Sequence, residues 1–383
     1  MKKNKALFIS HADDNSGAPK ALYNILKFML ISYKINIDVF VCVPKSIGVF
    51  ENLKDEDYIN NIPSVSYLKS NNQKKLIQRL TYFLAKKKYF KDIIKKYNKQ
   101  YDFVFFNSIS YNFYKSELEN ITIPKYLYLH EGSNFLYTSL QGDYSVFNKF
   151  EHIFVPSELV EKDLLNNGIH QSKITVLQLF LDENEIINES ILNSTIHRDE
   201  FVVGNLANLD WTKGIEYFLA TAKLYKELYP RDNIKFKWKG YVKDSFFHNL
   251  INFEIQKSGL SNVVVFEEKS KEIKDFFPFI DVFLMTSKQE TFGFVVLEAA
   301  NYSKPSITFK EVVGAAAFIN NYGGFTVDYL SIYQLVVCLK KYYEDRDLMQ
   351  LHGIEANQYL IANYTLNIGL RKELKNKLEI VFN

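Results

Sequence analysis

Short apolar runs alternate along this chain with longer stretches in which apolar residues recur every three or four positions, the signature of buried strands alternating with amphipathic helices. Ala6 to Ser10 reads as a first strand. Leu22, Ile25, Leu26, Met29 and Leu30 mark the inner face of the helix after it, with Ser16 suited to its N-cap and Pro19 to its first turn. Ile37–Val43 follows as a second strand, so the chain opens on a βαβ unit. Tyr101–Ser108, Tyr126–Leu129, Ile153–Val155 and Lys173–Leu177 continue the series, with a helix over Glu158–Asn167. The pattern then lapses, because Asp182–Glu200 is polar and without periodicity, as a linker would be. It resumes at Phe201, with Ile215, Phe218, Ala222 and Tyr225 on one helical face and strands at Ile234–Trp238, Val263–Phe266, Val282–Met285 and Ser306–Phe309. Gly314 stands where a further helix could open, and Leu370, Leu374, Leu378 and Val381 mark a last one. This alternation predicts an α/β fold of two doubly wound, Rossmann-like domains, 1–185 and 201–365, joined by a linker over 186–200 and followed by a helix within 366–383.

Composition agrees with two cores, since 383 residues exceed what one core usually supports and 47% are hydrophobic, 32 Phe and 26 Tyr among them. A net charge of +3 is small for this length and predicts no nucleic-acid partner. Only five of the 47 basic residues are Arg, so an anion clamp would rely on Lys and backbone amides. Cys42 and Cys338, far apart in apolar runs, suit a reduced cytoplasmic protein. No segment approaches the roughly 18 apolar residues of a spanning helix, and Ala6–Ile9 is too short for an export signal. One region is polarised. Over 71–100, basic residues including Arg79 and Lys86–Lys88 face a single acid, Asp92, beside an apolar set that includes Leu80, Phe83 and Ile93. Such a stretch fits either a helix lying on the anionic inner face of a membrane or the solvated faces of ordinary helices.

The densest candidate chemistry is Ser287–Ala300, which follows the strand Val282–Met285 and reads as a glycine-bearing turn leading into a helix near Gly293. The unpaired N–H groups of a first helical turn, at the positive end of the helix dipole, stabilise a phosphate. Glu290 and Glu298 bracket that place, roughly 12 Å apart if all eight steps were helical. Glu298 sits among Phe294, Val295, Val296, Leu297, Ala299 and Ala300 and needs donors there, which ribose hydroxyls would supply. The plainer alternative is that Thr291, Glu298 and Tyr302 line a solvated helix face. His130 and Glu131 close the strand Tyr126–Leu129, at the carboxyl end where ligands of open α/β sheets gather. A His there can orient or deprotonate a hydroxyl, or be purely structural.

Ser287-x-x-Glu290-Thr291-Phe292-Gly293-Phe294-x-x-x-Glu298-Ala299 resembles the E-x7-E motif of retaining glycosyltransferases of the GT-B fold, and is most similar to that of glycosyltransferase family 4. The resemblance implies two Rossmann-like domains facing a central cleft, with the last helix crossing back to the first domain. It also implies transfer of a sugar from a nucleotide-diphosphate sugar to a glycan or lipid-linked acceptor, as in cell-surface polysaccharide synthesis, with no metal or other cofactor. By the family pattern Glu290 holds donor-sugar hydroxyls and Glu298 the ribose, while the backbone at Phe292, Gly293 and Phe294 binds the diphosphate together with Lys213. His130 serves the donor sugar or the acceptor, His11 and Glu131 lie on the acceptor side, and Gly17 belongs to a glycine loop after the first strand. In the Lys213-Gly214 element the family places an arginine directly after the strand-end glycine; Asn205 stands there in this chain, and Asn208 is the other residue able to fill its space. A neutral amide adds no charge, which keeps a catalytically impaired sugar-nucleotide-binding partner subunit as a second reading and an epimerase as a third.

Asp55-Glu56-Asp57 and Asp345-Arg346-Asp347 match a metal-binding D-x-D in letters only, since both lie in charged segments. Kinase, serine-hydrolase and zinc-protease motifs are absent from the sequence.

Overall fold

The computed structural model of the protein describes residues 5–12, 16–33, 35–43, 49–50, 59–61, 100–109, 118–187, 200–241, 246–268 and 275–382. The basic stretch before residue 100, most of the expected linker and the Asp55–Asp57 triplet lie outside them. Two compact units account for the chain: Met1–Phe180 together with Ile368–Asn383, and Leu181–Asn367.

The first unit holds a parallel sheet of β1 (Lys5–Ala12), β2 (Asn36–Val43), β3 (Ile59–Asn61), β4 (Phe103–Phe106), β5 (Lys125–Tyr128), β6 (His152–Val155) and β7 (Ile174–Val176), in the order β3-β2-β1-β4-β5-β6-β7. The second holds β8 (Phe201–Leu206), β9 (Ile234–Tyr241), β10 (Val264–Glu268), β11 (Val282–Met285), β12 (Ser306–Phe309) and β13 (Gly324–Val327), in the order β10-β9-β8-β11-β12-β13. Every position of β4, β6, β11 and β12 is buried, as strands covered on both faces must be. In each unit the order reverses once, beside β1 and β4 or beside β8 and β11, and that is where a doubly wound sheet opens a crevice.

Among the described residues the first five α-helices are α1 (Gly17–Tyr33), α2 (Ser133–Leu140), α3 (Glu158–Asn166), α4 (Ile215–Leu228) and α5 (Phe246–Lys257). Helix α1 buries Leu22, Ile25, Leu26, Met29 and Leu30, the face expected from their spacing. The helix Ile368–Phe382 buries Leu370, Leu374, Leu378 and Val381. It belongs to the first unit: the Phe382 ring stacks on Tyr33 at 3.9 Å and meets Phe103 edge-on at 5.8 Å, and the Tyr33 hydroxyl donates to the Lys375 carbonyl at 3.0 Å. Among the described residues no helix is long and apolar enough to cross a membrane.

Three local features differ from the sequence expectations, and Asp345 gains a structural role. Residues 181–187, assigned there to the first domain and the start of the linker, group with the second unit, because Leu181 N–H donates to the Tyr364 carbonyl and Asn301 grips Glu185 and Ile187 by their backbones. Strand β13, unannounced by apolar periodicity, begins at Gly324 and follows a π-type turn over Ile319–Gly323. The helical turn expected from Gly314 starts later, at Ala316, and the Gly314 N–H donates to the Glu290 carbonyl at 3.0 Å. Asp345, within a D-x-D in letters, caps the helix Arg346–Asn363 by accepting from Leu348 N–H at 2.9 Å.

Candidate active site

At the carboxyl ends of β8 and β11 the chain leaves the sheet in two segments that are laced together. After β8 the Asp210 carboxylate accepts from Thr212 N–H at 2.8 Å and closes a single helical turn, Trp211–Lys213. Gly214 ends the turn at φ 65, ψ 43, and a Cβ there would stand 2.1 Å from the Thr286 carbonyl oxygen, so both conformation and space require glycine. After β11, Thr286 Oγ donates to the Lys213 carbonyl at 3.4 Å and Lys288 N–H donates to the Thr212 carbonyl at 2.7 Å. Two segments distant in sequence thereby present Lys213 and Glu290 to each other. The Lys213 ammonium donates to Glu290 Oε1, which also accepts from Ser287 Oγ at 3.2 Å. Burial works to lower the Lys213 pKa, but the Glu290 charge and hydrogen bond, with Asp210 behind them, hold it above the ordinary lysine value. Glu290 is fixed in turn by its backbone, donating to the Val312 carbonyl at 2.8 Å and accepting from Gly314.

Three residues further on, Gly293 at φ 98, ψ 72 turns the chain into α6 (Phe294–Asn301) with no side-chain cap. Val296 N–H closes onto the Gly293 carbonyl at 2.9 Å, and the positive end of the helix dipole lies at this turn, so this end of the helix attracts an anion. Phe292 and Phe294 are buried, Phe292 against Tyr364 at 5.7 Å, which leaves their backbones as the groups able to meet a ligand. Glu298 is half-buried on α6 between buried Leu297 and Ala299. Because α6 begins at Phe294, only the second half of the interval from Glu290 to Glu298 is helical, and the all-helical span expected from sequence does not apply. Tyr302 stacks on Phe277 at 5.4 Å, which removes it from the solvated face considered with Thr291 and Glu298. Asn205 is buried and points its amide at Thr286 Oγ, 3.5 Å away; Asn208 is exposed on the loop before Asp210.

The first unit carries its own polar cluster at the ends of β1, β4 and β5. Asn107, fully buried, donates through Nδ2 to the Ala18 carbonyl at 2.8 Å, and its Oδ1 faces His130 Nε2 at 3.1 Å. An amide oxygen only accepts, so His130 carries its proton on Nε2. Burial and the neighbouring His11 push the His130 pKa down to about 3. His11 falls inside β1, which runs two residues past the expected strand, and Gly17 opens α1 one residue before the carbonyl that Asn107 holds. Glu131 is fully engaged in framing the site, since it accepts from Ser108 Oγ, from Ile109 N–H at 3.1 Å and from His130 N–H at 3.2 Å. Its pKa is raised by burial against the opposing pull of those donors.

Within each unit the residues singled out from sequence are brought together: Lys213, Glu290, Phe292, Gly293 and Phe294 in one, His11, Gly17, His130 and Glu131 in the other. Ser287 and Lys288 lie in the stretch singled out from sequence but were given no role there. Asn107, Ser108 and Asp210 were missed, and their only signal was position, each standing just past the carboxyl end of a strand or in the turn that follows it.

Residues 187–359 match the family model described as glycosyl transferases group 1. The O-antigen biosynthesis glycosyltransferase WclY of Escherichia coli is 30% identical over 159 residues, 40% of this chain and 38% of that protein. Alpha-galactosylglucosyldiacylglycerol synthase of Streptococcus pneumoniae is 25% identical over 177 residues, 42% of this chain and 44% of that protein. The chain thus spans about two-fifths of the length of the curated relatives it matches. Among solved structures, Anabaena HepE in complex with UDP-glucose superposes with a TM-score of 0.75 at 18% identity, covering 98% of this chain and 99% of that one. Sucrose-phosphate synthase from Thermosynechococcus elongatus gives 0.74 at 15% identity, covering 99% of each. These likenesses show the fold, two Rossmann-like units of the GT-B type.

Proposed function

We propose that this chain is a retaining glycosyltransferase of family 4 that moves a sugar from a nucleotide-diphosphate sugar to a glycan or lipid-linked acceptor in the synthesis of a surface polysaccharide or glycolipid. The observation that carries the reading is the placing of Lys213 and Glu290 against each other just before the uncapped N-terminus of α6. Breaking the sugar–phosphate bond puts negative charge on the departing diphosphate, and preorganised donors stabilise charge at the point where it develops. Lys213 and the backbone at Phe292, Gly293 and Phe294 supply such donors. Glu290, released from Lys213 by the incoming phosphate, is then an acceptor for donor-sugar hydroxyls, and Glu298 for those of the ribose. The acceptor oxygen attacks from the face the nucleotide leaves and the leaving phosphate takes its proton, so no protein nucleophile and no metal is assigned a step. His130, neutral and with Nε2 committed to Asn107, retains Nδ1 to receive a hydroxyl of sugar or acceptor.

UDP is the first donor nucleotide to test, since HepE was crystallised with UDP-glucose and with UDP. A lipid-linked acceptor at the inner membrane face is favoured by the charge of 71–100 and by the glycolipid product named for the pneumococcal relative. Asn205, turned inward where the family carries an arginine, is the observation that favours the second reading, a partner subunit that binds a nucleotide sugar without turning it over.

The experiment is a melting panel with UDP, GDP, ADP and CMP on the wild type, Lys213→Ala and Glu298→Ala, followed by turnover of the matching nucleotide sugar. A ligand at 100 times its Kd stabilises by about 2.7 kcal/mol. One nucleotide shifting the wild type, with smaller shifts in both variants and release of free nucleotide on turnover, is the expected result. Shifts without release in the presence of glycan and lipid acceptors favour the binding subunit. No shift with any of the four overturns the site.

A further inference from the structure

Lys288 lies inside the motif stretch, between Ser287 and Glu290, yet it takes no part in the cluster around Glu290. Its side chain is 4% exposed and its ammonium is turned the other way, onto the Glu216 carboxylate and over the Trp211 ring at 3.9 Å, with the Tyr217 ring at 5.4 Å. A buried lysine needs a charge partner, and here it has both an anion and an aromatic face. Trp211 is the first residue of the turn that carries Lys213, and Glu216 lies in the first turn of the helix Ile215–Leu228 that follows. The backbone of Lys288 holds the same turn from a second point by donating to the Thr212 carbonyl. One residue therefore grips the turn ahead of Lys213 and the helix behind it.

Trp211 is 65% exposed, so its burial contributes little to the core, and the contact is not explained by packing. Lys288 has no acceptor in common with Lys213. Its side chain bears on the site through where it holds the turn.

We propose that Lys288 is a positioning residue: by clamping Trp211 and Glu216 it sets the turn Trp211–Gly214 so that the Lys213 ammonium stands where a nucleotide diphosphate binds. This rests on the site reading above. In a chain that lacks the family's arginine, binding of the diphosphate falls the more heavily on the placement of this one lysine.

The test is a double-mutant cycle on UDP affinity, measured calorimetrically on the full chain with Lys213→Ala, Lys288→Met and the two combined, alongside Lys288→Arg, Glu216→Gln and Trp211→Leu. Lys288→Met is expected to weaken UDP binding about 10-fold in the wild-type background and less than 2-fold in the Lys213→Ala background, because a misplaced turn matters only through the lysine it carries. Lys288→Arg, whose guanidinium can both stack and pair, is expected to recover most of the affinity. Glu216→Gln and Trp211→Leu alter half-exposed and exposed groups, so they report even if Lys288→Met fails to fold; each is expected to weaken UDP at least 3-fold. A Lys288→Met effect that adds in full to Lys213→Ala, or folded Lys288, Glu216 and Trp211 variants within 2-fold of wild type while Lys213→Ala loses affinity, overturns this inference alone. Unchanged affinity in Lys213→Ala overturns the site reading and the inference with it.

Discussion

Replacing Gly214 by Ala strikes the point where the two site segments touch. The residue sits at φ 65, ψ 43, a conformation that costs an L residue about 1–2 kcal/mol. The new Cβ would also lie 2.1 Å from the Thr286 carbonyl oxygen, and backbone cannot swing aside as a side chain does. The segments must part by about 1 Å, which strains the bonds from Lys288 N–H to the Thr212 carbonyl and from Thr286 Oγ to the Lys213 carbonyl, at about 1 kcal/mol each. The total is about 3–4 kcal/mol. Gly259, in the same unit, is the control: its φ is +71 and nothing lies within 4 Å of its Cβ position, so Gly259→Ala should cost only the conformational 1–2 kcal/mol. Both tryptophans, Trp211 and Trp238, belong to this unit, so urea unfolding followed by intrinsic fluorescence reads its stability directly. Gly214→Ala is expected to lose about 2 kcal/mol more than Gly259→Ala and to weaken UDP binding, which Gly259→Ala should leave intact. Equal losses in the two variants would show that the close approach at Gly214 does not lock the segments, and the reasoning from the lacing would fail.

The remaining predictions concern protonation. His130 has a pKa depressed to about 3, whereas the unfolded chain takes up that proton near 6.5, so below pH 6.5 the unfolded state binds more protons and stability falls as pH falls toward 3. Between pH 8 and pH 5 this amounts to a loss of up to about 2 kcal/mol. Urea unfolding at the two pH values should show that difference reduced in His130→Gln, and an identical pH dependence in the variant would refute it. Burial pushes the Cys338 thiol from 9.0 up to about 11. In a Cys42→Ser background its alkylation at pH 8 should therefore run on the order of 100-fold slower than that of a free small-molecule thiol of pKa near 9; a rate within 5-fold would refute the burial.

The strands and the core-facing helix stripes were legible because a residue buried on both faces of a parallel sheet has little choice but to be apolar, and β4 and β11 read that way at every position. The Gly293 turn was legible for a related reason: a positive φ at a helix entrance leaves glycine as the natural residue. What stayed hidden were pairings. Lys213 and Glu290 each stood out, but nothing local to either says that they touch, since the contact is made by two strands leaving a sheet side by side. Nothing local to Lys288 sets it apart, and Trp211 and Glu216, brought from far back in the chain, give it an inward place. Asn107 was invisible in the same way, because its partners come from α1 and from the end of β5. Strand β13 escaped because it opens on glycine and buries only the first and last residues of a short run.

The helix Ile368–Phe382 completes a unit whose other residues all precede Leu181. In a growing polypeptide the first unit is thus made twice over, as an incomplete sheet and later as a closed one. At about 5–20 residues per second the ribosome needs roughly 10–40 s to make Leu181–Asn367. Throughout that interval Tyr33, Phe103 and the Tyr126 hydroxyl face water where Phe382 and the Ile380 carbonyl will later cover them. The second unit, continuous in sequence, can close as soon as it emerges. The part of the chain made first is therefore the part finished last, and for that interval a nascent-chain chaperone would meet the aromatic patch left open by the missing helix.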